Sequence, residues 1–196
     1  MPQNPLIRII GVDPSSRITG YGIIDYLPNE LELVAYGTIQ AQEETLPERL
    51  KHIHLTLLQI LSQYNPTVLA LEDIFVFRNP QALFKLAEAR GVIMLTAALK
   101  DLLVYEYPPR LVKNTVCGHG HAEKSQVAYM IKQIFHITEN LPPDASDALA
   151  IALCHAGKLK IEIAPVPMPL ASKSRSKSWR KLSPEDLATL GYKLEK

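Results

Sequence analysis

Four carboxylates in this sequence could together perform metal-dependent hydrolysis. They are Asp13 at the end of the apolar segment IIGVD, Glu72 at the end of TVLALE, and Asp144 and Asp147, three residues apart in PPDASDALAIAL. A carboxylate at the edge of a core is costly unless a cation or hydrogen-bond donors balance its charge. Carboxylate-rich sites suit Mg²⁺ or Mn²⁺, and two such ions can activate a water molecule and stabilise the leaving oxygen in phosphodiester hydrolysis.

The same four residues also have an ordinary structural interpretation. Asp13 could cap the turn that follows it, and Glu72 could simply end a strand. Asp144 and Asp147 could stabilise the N-terminus of a helix through its dipole. Taken one at a time, the residue types leave both interpretations open.

The apolar patterns predict the elements that must hold these carboxylates. Strands at residues 6–13, 21–26 and 31–40 are expected to form an antiparallel meander. Apolar residues at helical spacing predict a helix over 46–64, which Asn65-Pro66 ends. The short, almost wholly apolar segment 67–72 is typical of a strand that is covered on both faces.

The second half of the chain alternates helices with one more strand. The predicted elements are a long helix capped by Asn79 and running to about Lys100, a strand at 102–107, and helices at about 110–116, 122–135 and 143–159. This order predicts an α/β fold with a mixed five-stranded central sheet flanked by helices. If the first and fourth strands are neighbours, Asp13 and Glu72 emerge at one edge of the sheet.

Composition limits the class of protein. The chain has 196 residues, of which 47% are hydrophobic and 21% charged, enough for one domain with a substantial core. It contains no apolar run of the roughly 18 residues that a membrane span needs, and its N-terminus lacks the pattern of a secretory signal. We therefore expect a cytoplasmic protein that does not act on membranes. Cys117 and Cys154 are expected to be free thiols.

Charge divides the chain into two parts. Residues 1–156 contain 12 Lys and Arg against 16 Asp and Glu, whereas residues 157–196 contain 9 against 4. Charge alone would not indicate nucleic-acid binding by the body of the protein. We assign residues 1–160 to the main domain and residues 161–196 to a basic tail rich in Pro and Ser, in which Ser183 is expected to cap a short helix.

Five segments match, in order, the signature segments of a known family. GVDPSSRITGYGIID, LEDIFVFRN, EARGVIM, HAEKSQV and PDASDALAIAL resemble those of the RuvC family of bacterial Holliday-junction resolvases. The resemblance implies a ribonuclease H-like nuclease domain and a homodimer that nicks two opposed strands of four-way junction DNA in recombination and repair, leaving ligatable 5′-phosphate nicks. It also implies two Mg²⁺ ions per active site, with Mn²⁺ as a substitute. The branch-migration motor complex of RuvA and RuvB is the implied partner.

The resemblance also implies a role for single residues. The family's four acidic active-site positions, which hold the metal, match Asp13, Glu72, Asp144 and Asp147. The family's catalytic and DNA-binding lysines near the scissile backbone match Lys113 in RLVKNTV and Lys124 in HAEKSQV. A lysine is a mobile point charge that suits phosphate.

Two further residues are candidates for DNA binding. Phe75 in EDIFVF matches an aromatic residue that the family stacks at the junction centre, and base–aromatic stacking is worth about 1–3 kcal/mol per base. Arg17, in the turn after Asp13, is the second candidate. The helix that follows Asn79 corresponds to the one that packs across the family's dimer axis. His119 and His121 flank Gly120 before Lys124 and could touch phosphate or base.

The sequence departs from the family pattern at one turn. Ser15 stands where the family usually has Gly, and a position that requires positive φ would cost a serine about 1 kcal/mol or more. Three other functions compete with that of a resolvase. They are a nuclease of the same fold that acts on ribosomal RNA precursors, a junction-binding module without catalysis, and an ATPase of the sugar-kinase and actin type. The ATPase is disfavoured because the chain has no second lobe.

Overall fold

The computed structural model describes residues 6–27, 30–73 and 80–163. Within these ranges the chain forms five strands and five helices. They are β1 (Ile7–Asp13), β2 (Ile18–Leu27), β3 (Glu30–Gln40), α1 (Leu46–Tyr64), β4 (Val68–Glu72), α2 (Pro80–Ala98), β5 (Leu103–Tyr107), α3 (Pro109–Cys117), α4 (Lys124–Ile134) and α5 (Pro143–Ile163).

The strands form one mixed sheet in the order β3-β2-β1-β4-β5. The first three strands pair antiparallel, as the meander pattern predicted, and β4 and β5 run parallel to β1. Because β1 lies between β2 and β4, the first and fourth strands are neighbours, which meets the condition under which Asp13 and Glu72 emerge at one edge of the sheet. The predicted α/β class, with a mixed five-stranded sheet flanked by helices, is confirmed.

The central strands are buried on both faces, which explains their continuous apolar sequences. Ile9 packs in a core that contains residues of α3, α4 and α5. Its neighbour Ile10 packs on the opposite face in a core that contains residues of α1 and α2. Alternation along β1 therefore joins two hydrophobic clusters through one strand.

Helix α5 lies unusually close to β1 and β2 because the strands carry glycine where the helix crosses them. A Cβ atom added at Gly11 would lie 2.1 Å from the carbonyl oxygen of Ala148, and one added at Gly20 would lie 2.0 Å from that of Asp144. Glycine within a strand often marks such a close approach of another backbone. The absence of these side chains thus sets the distance between the sheet and the helix that carries Asp144 and Asp147.

Some boundaries differ from the sequence prediction. β2 begins at Ile18 rather than at residue 21, because its first residues pair with the end of β3, where Ile18 lies opposite Gln40. α4 begins at Lys124 rather than at residue 122, because Glu123 and Gln126 form a capping box at its start. α5 extends to Ile163, beyond the predicted end.

The cysteines, the apolarity of the helices and the domain division were also predicted from the sequence. Cys117 and Cys154 are free thiols, as predicted. Among the described helices none has the length and apolarity needed to cross a bilayer. Asn79, Phe75 and the tail from residue 164 onward, with the helix expected at Ser183, lie outside the described residues, so the proposed domain division stays a prediction.

Candidate active site

The ends of β1 and β4 bring two of the predicted carboxylates to one edge of the sheet. Val12 and Leu71 are partners in the parallel ladder, and each is followed directly by an acid, Asp13 on β1 and Glu72 on β4. Because parallel neighbours end at the same edge, the two carboxylates lie side by side. Both line the same two cavities.

Asp13 is the most strongly perturbed of the four acids. Burial is the largest cause that raises its pKa, to about 7, and the negative charges of Asp147, Glu72 and Asp144 raise it further, while Lys124 opposes the rise. The pKa of Glu72 is also raised, first by burial and then by Asp147, against the lowering effect of Lys124 and Lys113. Such a cluster has more negative charge than its own cations balance.

Helix α5 supplies the other two acids from its first turns. Asp147 lines a cavity of about 170 Å³ together with Asp13, Glu72, Lys113 and Lys124. Asp144 is not among the residues that line this cavity, although its charge acts on Asp13. The backbone carbonyl of Asp144 faces Gly20 of β2. This close contact between helix and sheet fixes the position of the first turn of α5, which carries Asp144 and leads to Asp147.

The two predicted lysines come from the helices that precede α5. Lys124, the first residue of α4, donates from Nζ to Oδ2 of Asp147 at 2.7 Å, although its side chain is 82% exposed. This bond is the largest cause that raises the pKa of Lys124. Lys113 is partly buried on α3 and lines the same cavity. The cavity therefore brings together three of the acids and both lysines.

The turn after β1 explains how Ser15 replaces the family's glycine. The described non-glycine residues with positive φ are Asn65, Asp101 and His136, so Ser15 adopts an ordinary conformation and pays no cost for positive φ. Its carbonyl accepts a hydrogen bond from Thr19 Oγ1 at 2.8 Å, and its Oγ accepts a longer one, 3.3 Å, from the backbone N–H of Arg17. Arg17 itself is exposed on this turn and does not line the acidic cavity.

The histidines of the α3–α4 loop lie apart from the acids. His119 lines a separate cavity of about 330 Å³ together with Cys117 and Tyr129. His121 is exposed. The structure therefore brings neither histidine into the acidic cavity.

The acids suit a hard divalent cation, on two observations. Their donor atoms are all oxygens, and the pKa of Asp13 is raised first by burial and then by the negative charge of its acidic neighbours, which a cation would neutralise. Among the residues that the structure describes, no three His, Cys, Asp or Glu side chains are already gathered as ligands of one ion. The chain thus presents the donors and the charge for a cation, and Lys124 balances part of that charge.

Arg90 of α2, which lies in the signature segment EARGVIM but to which the sequence assigns no role of its own, also reaches this region. Its Nη1 donates to the backbone carbonyl of Glu72 at 2.6 Å. It lines a second cavity of about 330 Å³, in which Asp13, Glu72 and Lys124 also take part. Arginine is seldom this buried without specific partners, but its partners, the Glu72 carbonyl and the Glu106 carboxylate, are not identified by any sequence pattern.

The chain is similar to known proteins in both sequence and structure. The family model described as crossover junction endodeoxyribonuclease RuvC matches residues 9–155. A protein of that name from Hydrogenovibrio crunogenus is 45% identical over 76% of this chain and 87% of its own length. One from Francisella tularensis subsp. holarctica is 48% identical over 75% and 86%. The solved structure of Thermus thermophilus RuvC in complex with Holliday junction substrate matches with a TM-score of 0.74 and 31% identity, over 80% of this chain and 96% of that one.

Proposed function

This chain belongs to the RuvC family of crossover junction endodeoxyribonucleases, and from that premise we propose that it resolves four-way (Holliday) DNA junctions. It hydrolyses phosphodiester bonds in pairs on opposed strands and leaves 5′-phosphate nicks that ligase can seal. The observation that carries this proposal is the cavity where Asp13, Glu72 and Asp147 meet Lys113 and Lys124. Carboxylates alone would repel DNA, whereas this combination suits a cation beside a phosphate.

In this proposal the four acids hold the metal. Asp13, Glu72, Asp144 and Asp147 are the ligands of two Mg²⁺ ions per active site, for which Mn²⁺ can substitute. When bound, the ions supply activation of the attacking water and stabilisation of the leaving oxygen. The protein supplies the fixed edge of β1 and β4, which keeps two ligands adjacent, and the first turns of α5, which bring the other two towards them.

The lysines act on the DNA backbone. Lys124 pairs with Asp147, and its exposed, flexible side chain can exchange this partner for a phosphate when a cation satisfies Asp147. Lys113 is less exposed and lines the same cavity as Glu72, where it opposes the rise that burial and Asp147 cause in the pKa of that carboxyl. We assign both lysines to contact with the scissile phosphate and to stabilisation of its developing charge.

Two residues are assigned to the DNA outside the cavity. Arg17 is exposed on the turn that directly follows Asp13, a position from which a guanidinium can reach a neighbouring phosphate. Phe75, outside the described residues, is assigned to stacking at the junction centre on the family resemblance alone.

Two cuts on opposed strands call for two identical sites, which a two-fold homodimer provides. Helix α2 supports this assignment because it exposes large apolar side chains. Phe84 is 67% exposed and Leu95 57%, and Leu99, which directly follows the helix, is 64% exposed. Gly91 lies on the same face, and a Cβ atom added there would meet no neighbouring atom within 4 Å, so a second helix could approach closely. Sedimentation of wild type and Leu95→Glu tests this assignment, and an unchanged mass for the variant would contradict it.

Junction DNA is chromosomal, so this function implies a cytoplasmic enzyme in the bacterial cell. The branch-migration motor complex of RuvA and RuvB is the expected partner on the same junction. Recovery of this protein with RuvA and RuvB on immobilised junctions, but not on linear duplex, tests that expectation.

The first experiment incubates the purified protein with end-labelled four-way junctions or linear duplexes, with Mg²⁺, Mn²⁺ or chelator. We expect paired, symmetric, metal-dependent nicks on junctions only, which DNA ligase reseals. Tight junction binding without nicks in either metal would indicate a non-catalytic module. Cleavage of structured RNA in place of junctions would support the ribosomal RNA nuclease and contradict the proposal.

A further inference from the structure

Arg90 is a buried cation that is held by two oxygens of different kinds. Its side chain is 8% exposed. One nitrogen, Nη1, donates to the backbone carbonyl of Glu72 at 2.6 Å, and Nη2 lies 2.8 Å from Oε1 of Glu106 on β5. A buried charge requires such partners. The arginine of α2 therefore clamps the ends of two adjacent strands.

The Glu72 carbonyl needs this donor because the sheet cannot supply one. The N–H of Asp73 donates to Tyr107 on β5. The Glu72 carbonyl shares the same trans peptide unit and so faces the other way, towards β1. Extending the pairing of Val12 with Leu71 by one step makes residue 14 the next donor, but residue 14 is proline, which has no N–H. Arg90 fills the place of the missing ladder bond.

The shape of the arginine head group suits this double task. A guanidinium is planar and presents several N–H donors in a fixed fork, so it can bind a carbonyl and a carboxylate together. A lysine ammonium has the charge but not the fixed fork. Glu106 precedes Tyr107, which is the ladder partner of Glu72, so both ends of the clamp lie at the edge of the sheet that carries the acids.

We propose that Arg90 is a positioning residue for cleavage, which fixes the backbone of Glu72 so that its carboxylate stands correctly beside Asp13. This inference rests on the proposed function, because it assigns Glu72 to the metal site. It also means that α2, whose outer face is assigned to the dimer contact, is bonded through Arg90 to the end of β4. Arg90 acts through Glu72 and does not itself contact DNA.

Arg90→Lys tests the proposal, with Arg49→Lys as the matched control. Arg49 is equally buried, at 6% against 6% exposed, and its Nη1 donates to the backbone carbonyls of Glu43 and Glu44 at 2.9 and 2.8 Å. Glu43 and Glu44 do not line the acidic cavities. Both variants lose comparable packing. A decrease in the cleavage rate that occurs only in Arg90→Lys therefore reports on the active site.

We expect the single-turnover cleavage rate of Arg90→Lys on saturated junctions to fall about 10- to 100-fold, as for other small displacements of catalytic groups. Junction affinity measured in chelator should change by less than about threefold, since a tenfold change would already correspond to a lost phosphate contact. The Mg²⁺ concentration for half-maximal cleavage should rise, and the Asp73 amide should exchange faster with solvent. Arg49→Lys should leave all four quantities close to wild type.

Three results would overturn the proposal while wild type still cuts junctions. They are an unchanged cleavage rate for Arg90→Lys, an equal loss in Arg49→Lys, and a loss of junction affinity as large as the loss of rate. If Arg90→Lys does not fold, Glu106→Gln replaces it, because Glu106 is 42% exposed and tolerates substitution. Glu106→Gln should slow cleavage severalfold, and an unchanged rate would reject the clamp. If wild type fails to cut any junction, the proposed function fails instead.

Discussion

Two aspartates of one hairpin, the buried Asp25 and the half-buried Asp13, have opposite surroundings. Asp25 lies opposite Arg8 in the pairing of β2 with β1, whereas Asp13, at the other end of β1, lies opposite Gly20. Both carboxylate oxygens of Asp25 accept bonds from Arg8, each at 2.7 Å, and the third arm of this arginine donates to the Tyr64 carbonyl. Asp25 and Arg8 therefore form a bidentate ion pair that stabilises the fold.

Among the described residues Asp13 receives no comparable partner. It faces three other carboxylates, and the cation that acts most directly on it, Lys124, is already bonded to Asp147. Burial of a carboxylate alone therefore does not identify a site. The end of the sheet where the charges balance internally stabilises the fold, and the end where they do not balance is the one to which we assign the cation and the DNA.

The strongest test of the comparison is Asp13→Asn. The amide keeps the size of the side chain but is a poor metal ligand, so junction cleavage should fall on the order of 10³-fold or more, because metal assistance supplies several kcal/mol. Gel-shift assays in chelator should show junction binding within about threefold of wild type, since no phosphate contact is removed. Normal cleavage by this variant would refute the assignment of the metal site.

Asp25→Asn should have the opposite profile. Breaking a buried ion pair leaves Arg8 without its charge partner, so the free energy of unfolding should fall by about 3 kcal/mol. Urea denaturation measures this loss. The cleavage rate per folded molecule should remain within about twofold of wild type; a loss of cleavage without a loss of stability would show that the paired end also belongs to the site.

A pH titration of stability in chelator separates Asp13 from His155. The raised pKa of Asp13, about 7 against 3.8, should make unfolding harder as pH falls from 7 towards 4. Burial, then Lys158, lowers the pKa of His155 to about 4 from 6.5, so its contribution should make unfolding easier as pH falls over nearly the same window.

In wild type the contributions of Asp13 and His155 to the pH dependence of the free energy of unfolding have opposite signs. In Asp13→Asn only the contribution of His155 should remain. The free energy of unfolding of this variant should therefore fall by up to about 3 kcal/mol relative to wild type between pH 6.5 and 4. His155→Asn, which keeps an acceptor near the position of Nδ1 for the Tyr107 hydroxyl, should show a relative gain. Parallel pH profiles for all three proteins would mean that neither group is perturbed.

The smallest expected effect belongs to Lys113→Ala. Removing one cation from the cavity should slow cleavage about tenfold, with a smaller loss of junction affinity and a decrease of about one in the slope of log affinity against log salt. Lys51→Ala, an exposed lysine of α1 outside the cavity, serves as the control. Equal rates for the two variants would make Lys113 an ordinary surface residue.

The sequence predicted the elements, because strand and helix periodicity are local patterns. It predicted the meeting of the strand-end acids only on the condition that the first and fourth strands are neighbours, which the sheet order supplies. The ribonuclease H-like fold that the resemblance implied is confirmed. The spacing of Asp144 and Asp147 predicted one helix and a shared face. It could not predict that Asp147 lines the cavity while Asp144 does not, because that difference depends on how α5 is seated on the sheet.

The role of Arg90 could not be predicted from the sequence, for a different reason. It depends on the direction of one peptide unit after Glu72 and on the missing N–H of Pro14, which become neighbours only in the assembled sheet. The lysines were assigned by resemblance, since a lone surface lysine carries no local signal. The assignments of the individual site residues, Phe75 among them, stay predictions until the variants are assayed.

The seating of α5 on glycine has a consequence for genetics. Positions 11 and 20 carry no reactive group, yet any side chain there would collide with the backbone of α5 and push the helical carboxylates away from those of the strands. In a screen of random substitutions for loss of recombination, these positions should be recovered alongside the acids. Such alleles would lower protein abundance as well as activity, whereas alleles at the acids themselves would leave abundance intact.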